Sequence, residues 1–195
     1  MRKVFAADFA VLRSESKLVL FLPALYMIIG VGSEFFRIFS AILMVTLVIN
    51  AMSYNERSGF ERYLLLLTVT RRDVVLARYA EALGMTVIML LLQLAASSVV
   101  KLSIVVPLGL GDMVFVASVV FLYVSVLFPM LMKTNIEKGR VAYLISMGCA
   151  AGISSFISID GGVPGILGVA LPILSLPALA VSCALSIRFY EKRQF

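Results

Sequence analysis

Six long stretches of this chain carry no charged side chain: Leu18 to Ser33, Ile38 to Asn55, Ala82 to Val100, Met113 to Met132, Val141 to Ile159 and Gly161 to Ile187. A helix rises about 1.5 Å per residue, so about 20 apolar residues cover the roughly 30 Å hydrocarbon core of a bilayer. Inside lipid every backbone N–H and C=O must be satisfied within the protein, which leaves helices as the way to bury such runs. The expectation is an all-α, polytopic membrane protein with six transmembrane helices, residues 1–195 forming one transmembrane domain. Composition agrees, with 62% hydrophobic and 14% charged residues and a mean hydropathy of +1.06, outside the range of soluble domains. The first run follows Met1-Arg2-Lys3 and ends near a cleavable-looking Gly30-Val31-Gly32, but Asp8 and Glu15 interrupt the leader pattern, so it reads as a span. The sixth run exceeds the core thickness and carries Pro172 and Pro177, which predict a kink.

Orientation follows from the basic residues, which cytoplasmic segments retain in excess. Arg2, Lys3, Arg13 and Lys17 precede the first run, and Arg57, Arg62, Arg71, Arg72 and Arg78 lie between the second and third. Lys133, Lys138 and Arg140 follow the fourth, and Arg188, Lys192 and Arg193 close the chain. With both termini cytoplasmic, only Arg37 and Lys101 of the 17 Lys and Arg fall outside. The outer connections, Glu34 to Arg37, Lys101 to Asp112 and Asp160 to Pro164, are short; the polar mass lies in the connection Glu56 to Glu81 and in residues 1–17. The net charge of +6 is thereby explained by topology, and no nucleic-acid partner is expected.

The same inventory excludes chemistry. There is no His, and Cys149 and Cys183 both sit inside apolar runs, so no metal-ligand cluster and no Cys/His or Ser/His/Asp catalytic arrangement exists. A phosphate-cradling G-x-x-x-x-G-K-[ST] loop is absent as well. The expectation is a chain that is not an enzyme, with no catalytic residue, metal or cofactor of its own. An aspartate cluster suited to Mg²⁺ is also missing, which disfavours a phosphatidyltransferase.

Function is sought at the inner surface. In Glu56-Arg57-Ser58-Gly59-Phe60-Glu61-Arg62-Tyr63-Leu64, continuing to Leu67, the residues Phe60, Tyr63, Leu64 and Leu67 recur at i, i+3, i+4, i+7 and form one apolar stripe. Glu56, Arg57, Glu61 and Arg62 lie off it, and Gly59 permits a turn out of the second span. Thr70-Arg71-Arg72-Asp73 has a capping arrangement and predicts a second helix leading into the third span. Two readings stand side by side: interfacial helices whose arginines meet anionic lipid, or a socket for a cytosolic partner. The acidic Glu56, Glu61 and Asp73 favour the partner. Val4, Phe5, Phe9 and Leu12 predict an interfacial helix over residues 1–17, read as a membrane-surface anchor.

At these two inner connections the chain resembles the permease subunits of ABC-2-type ATP-binding-cassette exporters, in particular the small six-span group that includes the phenol-soluble-modulin exporter permeases. The resemblance rests on Asn55 to Leu64, on Leu67 to Tyr79, and on Phe128-Pro129-Met130-Leu131-Met132-Lys133 followed by Glu137-Lys138-Gly139-Arg140. It departs at Leu67-Thr68-Val69-Thr70, where relatives often carry Leu-Pro and a Ser; Thr70 still offers a capping oxygen. The resemblance implies a coupling helix and return helix over residues 56–81, docking a separate cytosolic ATPase that holds the ATP and Mg. The docking set would be Glu56, Arg57, Gly59, Phe60, Glu61, Arg62, Tyr63, Leu64, Arg71 and Arg72, with Lys133, Glu137, Lys138 and Arg140 in the second inner loop. It further implies a second permease subunit, identical or related, in a bacterial cell membrane.

Within the spans, no ionisable side chain is expected at a midplane, which argues against ion-coupled transport. Gln93, in the middle of the third run, and Asn50, near the inner end of the second, are expected to make interhelical hydrogen bonds. Gly148-x-x-x-Gly152 would admit close helix packing. The leading expectation is the membrane subunit of an ATP-driven exporter of an amphipathic or hydrophobic cargo such as a peptide. The alternative is a non-transporting scaffold or immunity protein that recruits a cytosolic partner.

Overall fold

A computed structural model of the chain describes residues 34–58, 70–99, 109–133, 148 and 165–192. Its elements are four helices, α1 (Glu34–Arg57), α2 (Arg71–Val99), α3 (Leu110–Lys133) and α4 (Gly165–Lys192). All four are long and apolar enough to cross a membrane, and they are the second, third, fourth and sixth runs of the sequence. The first run, all of the fifth but the helical Gly148, the helix expected over residues 1–17 and residues 59–69 of the coupling connection lie outside the described residues.

The helices outrun the charge-free stretches at their ends. Glu34 to Arg37, expected as an outer loop, is the first turn of α1, and Asp112 falls inside α3. Within 56–81, the helix expected to begin after Thr70 and lead into the third span is α2 itself, which starts at Arg71. The reason is that charge marks the edge of the hydrocarbon, whereas a helix stops where its terminal N–H groups find other partners. At α2, Thr70 Oγ1 accepts from the Asp73 N–H at 3.2 Å and donates to the Asp73 carboxylate at 2.8 Å. At α3, the Gly109 N–H donates to the Asp112 carboxylate at 2.9 Å, again three residues on.

Cross-contacts orient the bundle. Gln93 Nε2, near the end of α2, donates to the Arg37 carbonyl and to Ser40 Oγ, both at 2.9 Å, near the start of α1, so α1 and α2 are antiparallel. The Tyr79 hydroxyl, near the start of α2, lies 2.7 Å from Ser182 Oγ and 2.8 Å from Ser186 Oγ, near the end of α4. Its ring meets Phe128, near the end of α3, edge-on with centroids 4.9 Å apart. The C-terminal ends of α1, α3 and α4 therefore gather with the start of α2 at one end of the bundle. α3 and α4 run side by side in the same direction and form the most extensive helix pair, so residues 134–164 connect opposite ends.

Burial ranks the helices. α1 is buried nearly all round, from Ile38 through Ile42, Val45 and Val48 to Met52, as expected of a helix that is apolar on every face. α2 buries a stripe of Val75, Arg78, Tyr79, Ala82, Thr86, Met89 and Gln93 at three- and four-residue spacing, while Val87, Ile88, Leu91 and Leu92 stay exposed. α4 is the most peripheral, with Ile173, Leu174, Leu176 and Val181 exposed. Pro172 and Pro177 lie inside this one helix, and the Ser175 hydroxyl donates to the Pro172 carbonyl at 2.9 Å.

Candidate docking surface at the basic end

Arg57, Arg71, Arg72, Arg78, Lys133, Arg188 and Lys192 all lie toward the end of the bundle where α1, α3 and α4 finish and α2 begins; among the described residues Arg37 is the one basic side chain at the other end. This end carries the structural counterpart of the charge asymmetry in the sequence. Glu56, half-buried, and Arg57, exposed, close α1 and lead into the segment where Gly59, Phe60, Glu61, Arg62, Tyr63 and Leu64 lie outside the described residues.

Arg71 and Arg72 open α2, and the structure turns both toward α4. The Arg71 guanidinium donates to the carbonyl oxygen of Glu191 at 2.6 Å and reaches that of Tyr190 at 3.5 Å. The last carbonyls of a helix have no acceptor duty within it and sit at the negative end of its dipole, so a cation there satisfies both needs. Arg72 Nε pairs with the Glu191 carboxylate at 3.0 Å. That pair is largely exposed, which keeps its own worth small. Lys133, the last residue of α3, places Nζ 5.8 Å from the centroid of the Phe189 ring. The final turn of α4 is thus gripped from α2 and α3 together.

Arg78 is fully buried and pairs with Glu81 at 3.4 Å, one turn along the same helix. Both lie two to three turns from the start of α2, so they are largely buried charges in the basic half of that helix. Gln93 lies toward the other end of α2, and its bonds to α1 are interhelical, as expected. Asn50 departs from expectation: it is exposed, and Asn55, one turn and a residue further on, is the buried asparagine of α1. Arg37, expected in a loop, is 5% exposed.

Of the remaining sites read from sequence, Glu137, Lys138, Arg140 and Gly152 lie outside the described residues. Gly148 is helical and exposed, and a Cβ added there would meet nothing within 4 Å. Among the described residues no group of three or more His, Cys, Asp or Glu stands together as a metal site. Sequence reasoning passed over Tyr79, Ser182, Ser186 and Glu191. The signal for the serines was their i, i+4 spacing in an otherwise apolar run, and for Glu191 its acidic charge within a basic terminus.

The comparisons with known proteins agree with a membrane transporter. Residues 4–191 match a family model described as ABC-2 family transporter protein. Neither a curated protein nor a solved structure matches the chain.

Proposed function

The chain belongs to the ABC-2 family of transporter proteins, and from that premise we propose that it is the permease subunit of an ATP-driven exporter, working over a separate cytosolic ATPase. The chain spans the membrane several times. The observation that carries the docking proposal is the gathering of three helix ends, the start of α2 and most of the described basic charge at one end, from which the charged segment 59–69 departs. That end faces the cytoplasm of a bacterial cell on this reading, as the retention of Lys and Arg requires.

Six spans follow on the same reading. Residues 134–164 join opposite ends of the bundle and contain the apolar run Val141 to Ile159, long enough for one crossing. With the run Leu18 to Ser33 as a first crossing, both termini are cytoplasmic. Catalysis stays on the partner: ATP and Mg bind the ATPase, and this chain supplies neither a phosphate-cradling loop nor a catalytic side chain. Phe60, Tyr63 and Leu64 are the apolar anchors of docking, and Glu56, Arg57, Glu61 and Arg62 set register and partner choice. A second permease subunit covers part of the exposed apolar faces of α2 and α4, and the cargo is amphipathic or hydrophobic, such as a peptide, as the resemblance to the phenol-soluble-modulin exporter permeases would imply.

Extraction from the native membrane in mild detergent tests this. An ATPase carrying a P-loop is expected in equal amount, and Phe60→Ala with Tyr63→Ala should release it while the helical content of the permease is unchanged. Unchanged co-purification by that double variant overturns the docking assignment. A wild-type chain that emerges with a non-ATPase partner, under conditions that preserve other membrane complexes, overturns the permease reading in favour of a scaffold.

A further inference from the structure

We infer that Arg71 and Arg72 are positioning residues that fasten the C-terminal turn of α4 to the first turn of α2, so that a displacement of segment 59–69 carries α4 along with α2. The purpose of this clasp rests on the permease reading; its geometry does not. Arg71 stands two residues after segment 59–69, and the Thr70–Asp73 cap closes the first turn of α2. Covalent connection alone would pass such a movement to α1 and α2. α4 lies 119 and 120 residues further along the chain, yet its last carbonyls accept from the Arg71 guanidinium.

The attachment has two levels. At the end of the bundle, Arg71 bonds the backbone of Tyr190 and Glu191, and Arg72 pairs with the Glu191 side chain. Two turns deeper, Tyr79 bonds Ser182 and Ser186. Two points of fixation on one helix resist both sliding and rotation, which one point would not. Beyond Ser182 toward the other end, α4 turns Ile173, Leu174, Leu176 and Val181 outward, so it is fixed to α2 chiefly at the basic end. α4 is also packed most extensively against α3, so displacement of the held end moves α4 together with α3, a rigid-body transition of the kind that interfaces between packed helices support. On this inference both guanidinium groups hold α4, while the Arg72 side chain stays largely exposed.

The test uses the full-length permease with its co-purifying ATPase in lipid nanodiscs, with Arg71→Ala, Arg71→Lys, Arg72→Glu, Glu191→Arg and the double reversal Arg72→Glu/Glu191→Arg. Arg71→Ala is expected to keep the ATPase in the wild-type ratio and to keep its KM for ATP, while the kcat for ATP hydrolysis, measured with and without a synthetic amphipathic helical peptide, falls about fivefold. Arg71→Lys should recover part of that loss, and the double reversal should restore what each single reversal removes. Loss of the ATPase by Arg71→Ala would make the arginine a docking contact and overturn the inference, as would an unchanged kcat.

A second measurement needs no ATPase. Spin labels at the exposed positions Leu76→Cys and Arg188→Cys, with Cys149 and Cys183 replaced by Ala, report the separation of α2 and α4 in the permease alone. A narrow distance distribution that broadens in Arg71→Ala supports the clasp; identical distributions in the two overturn it. If no ATPase accompanies the wild-type chain, the permease reading fails and this distance measurement decides the clasp by itself.

Discussion

Tyr79 joins three helices with one side chain, since its ring packs edge-on against Phe128 of α3 and its hydroxyl lies within 2.8 Å of both Ser182 and Ser186 of α4. Tyr79→Phe keeps the ring contact and removes only the oxygen. The serines are not then stranded, because each hydroxyl can turn back to a carbonyl one turn earlier in its own helix. The expected loss is therefore modest, about 1 kcal/mol of unfolding free energy in mixed micelles, in line with other interhelical hydrogen bonds in membranes. Ser182→Ala and Ser186→Ala should each cost less than Tyr79→Phe, because the other serine remains. Gln93 is a comparable bolt at the far end, bonding the Arg37 carbonyl and Ser40. Gln93→Leu should cost about 0.5–2 kcal/mol by the same assay, with no effect on the basic end. The sequence announced Gln93, a lone amide in an apolar run, but not its depth, since the third run begins well inside α2. Tyr79 was hidden for the opposite reason: it closes the stretch Leu67 to Tyr79, and nothing in that stretch announces that it is largely buried in the bundle together with Arg78 and Glu81.

At the scale of elements, counting charge-free residues located α1 to α4 because lipid demands about 20 apolar residues of any span. It misplaced their ends because the last turns extend past the hydrocarbon and are set by capping. α2 shows this most clearly, running from Arg71 rather than from Ala82. The cap itself was legible: the Asp73 N–H donates to Thr70 Oγ1 as the spacing predicts, and the Thr70 hydroxyl in turn donates to the Asp73 carboxylate. Thr70→Ala removes the acceptor for the Asp73 N–H and should cost about 1 kcal/mol, whereas Thr70→Ser should be nearly silent. Hydrogen exchange of the first turn of α2 is the sharper readout, since faster exchange confined to Val74 and its neighbours distinguishes fraying from global destabilisation. What spacing could not reveal is that this same turn grips α4, a contact between residues more than a hundred positions apart.

For the whole molecule, direction is the property that decides topology. α3 and α4 run the same way, with Lys133 beside Phe189, and the six-span proposal therefore requires one more crossing between them. That requirement comes from helix direction, and it falls on the segment where hydropathy places the run Val141 to Ile159. Single cysteines introduced with Cys149 and Cys183 replaced by Ala test it in oriented vesicles. Ser58→Cys, Thr70→Cys and Lys192→Cys should all react with a membrane-impermeant thiol reagent from the cytoplasmic side, and Gly109→Cys from the opposite side. The positive-inside rule assigns which side is which; the packing alone demands that Lys192 share a side with Thr70 and that Gly109 not. Labelling of Gly109→Cys and Lys192→Cys from one side would mean that α3 and α4 are antiparallel. The clasp between Arg71 and the end of α4 could not then form, so the topology and the proposed transmission stand or fall on the same labelling pattern.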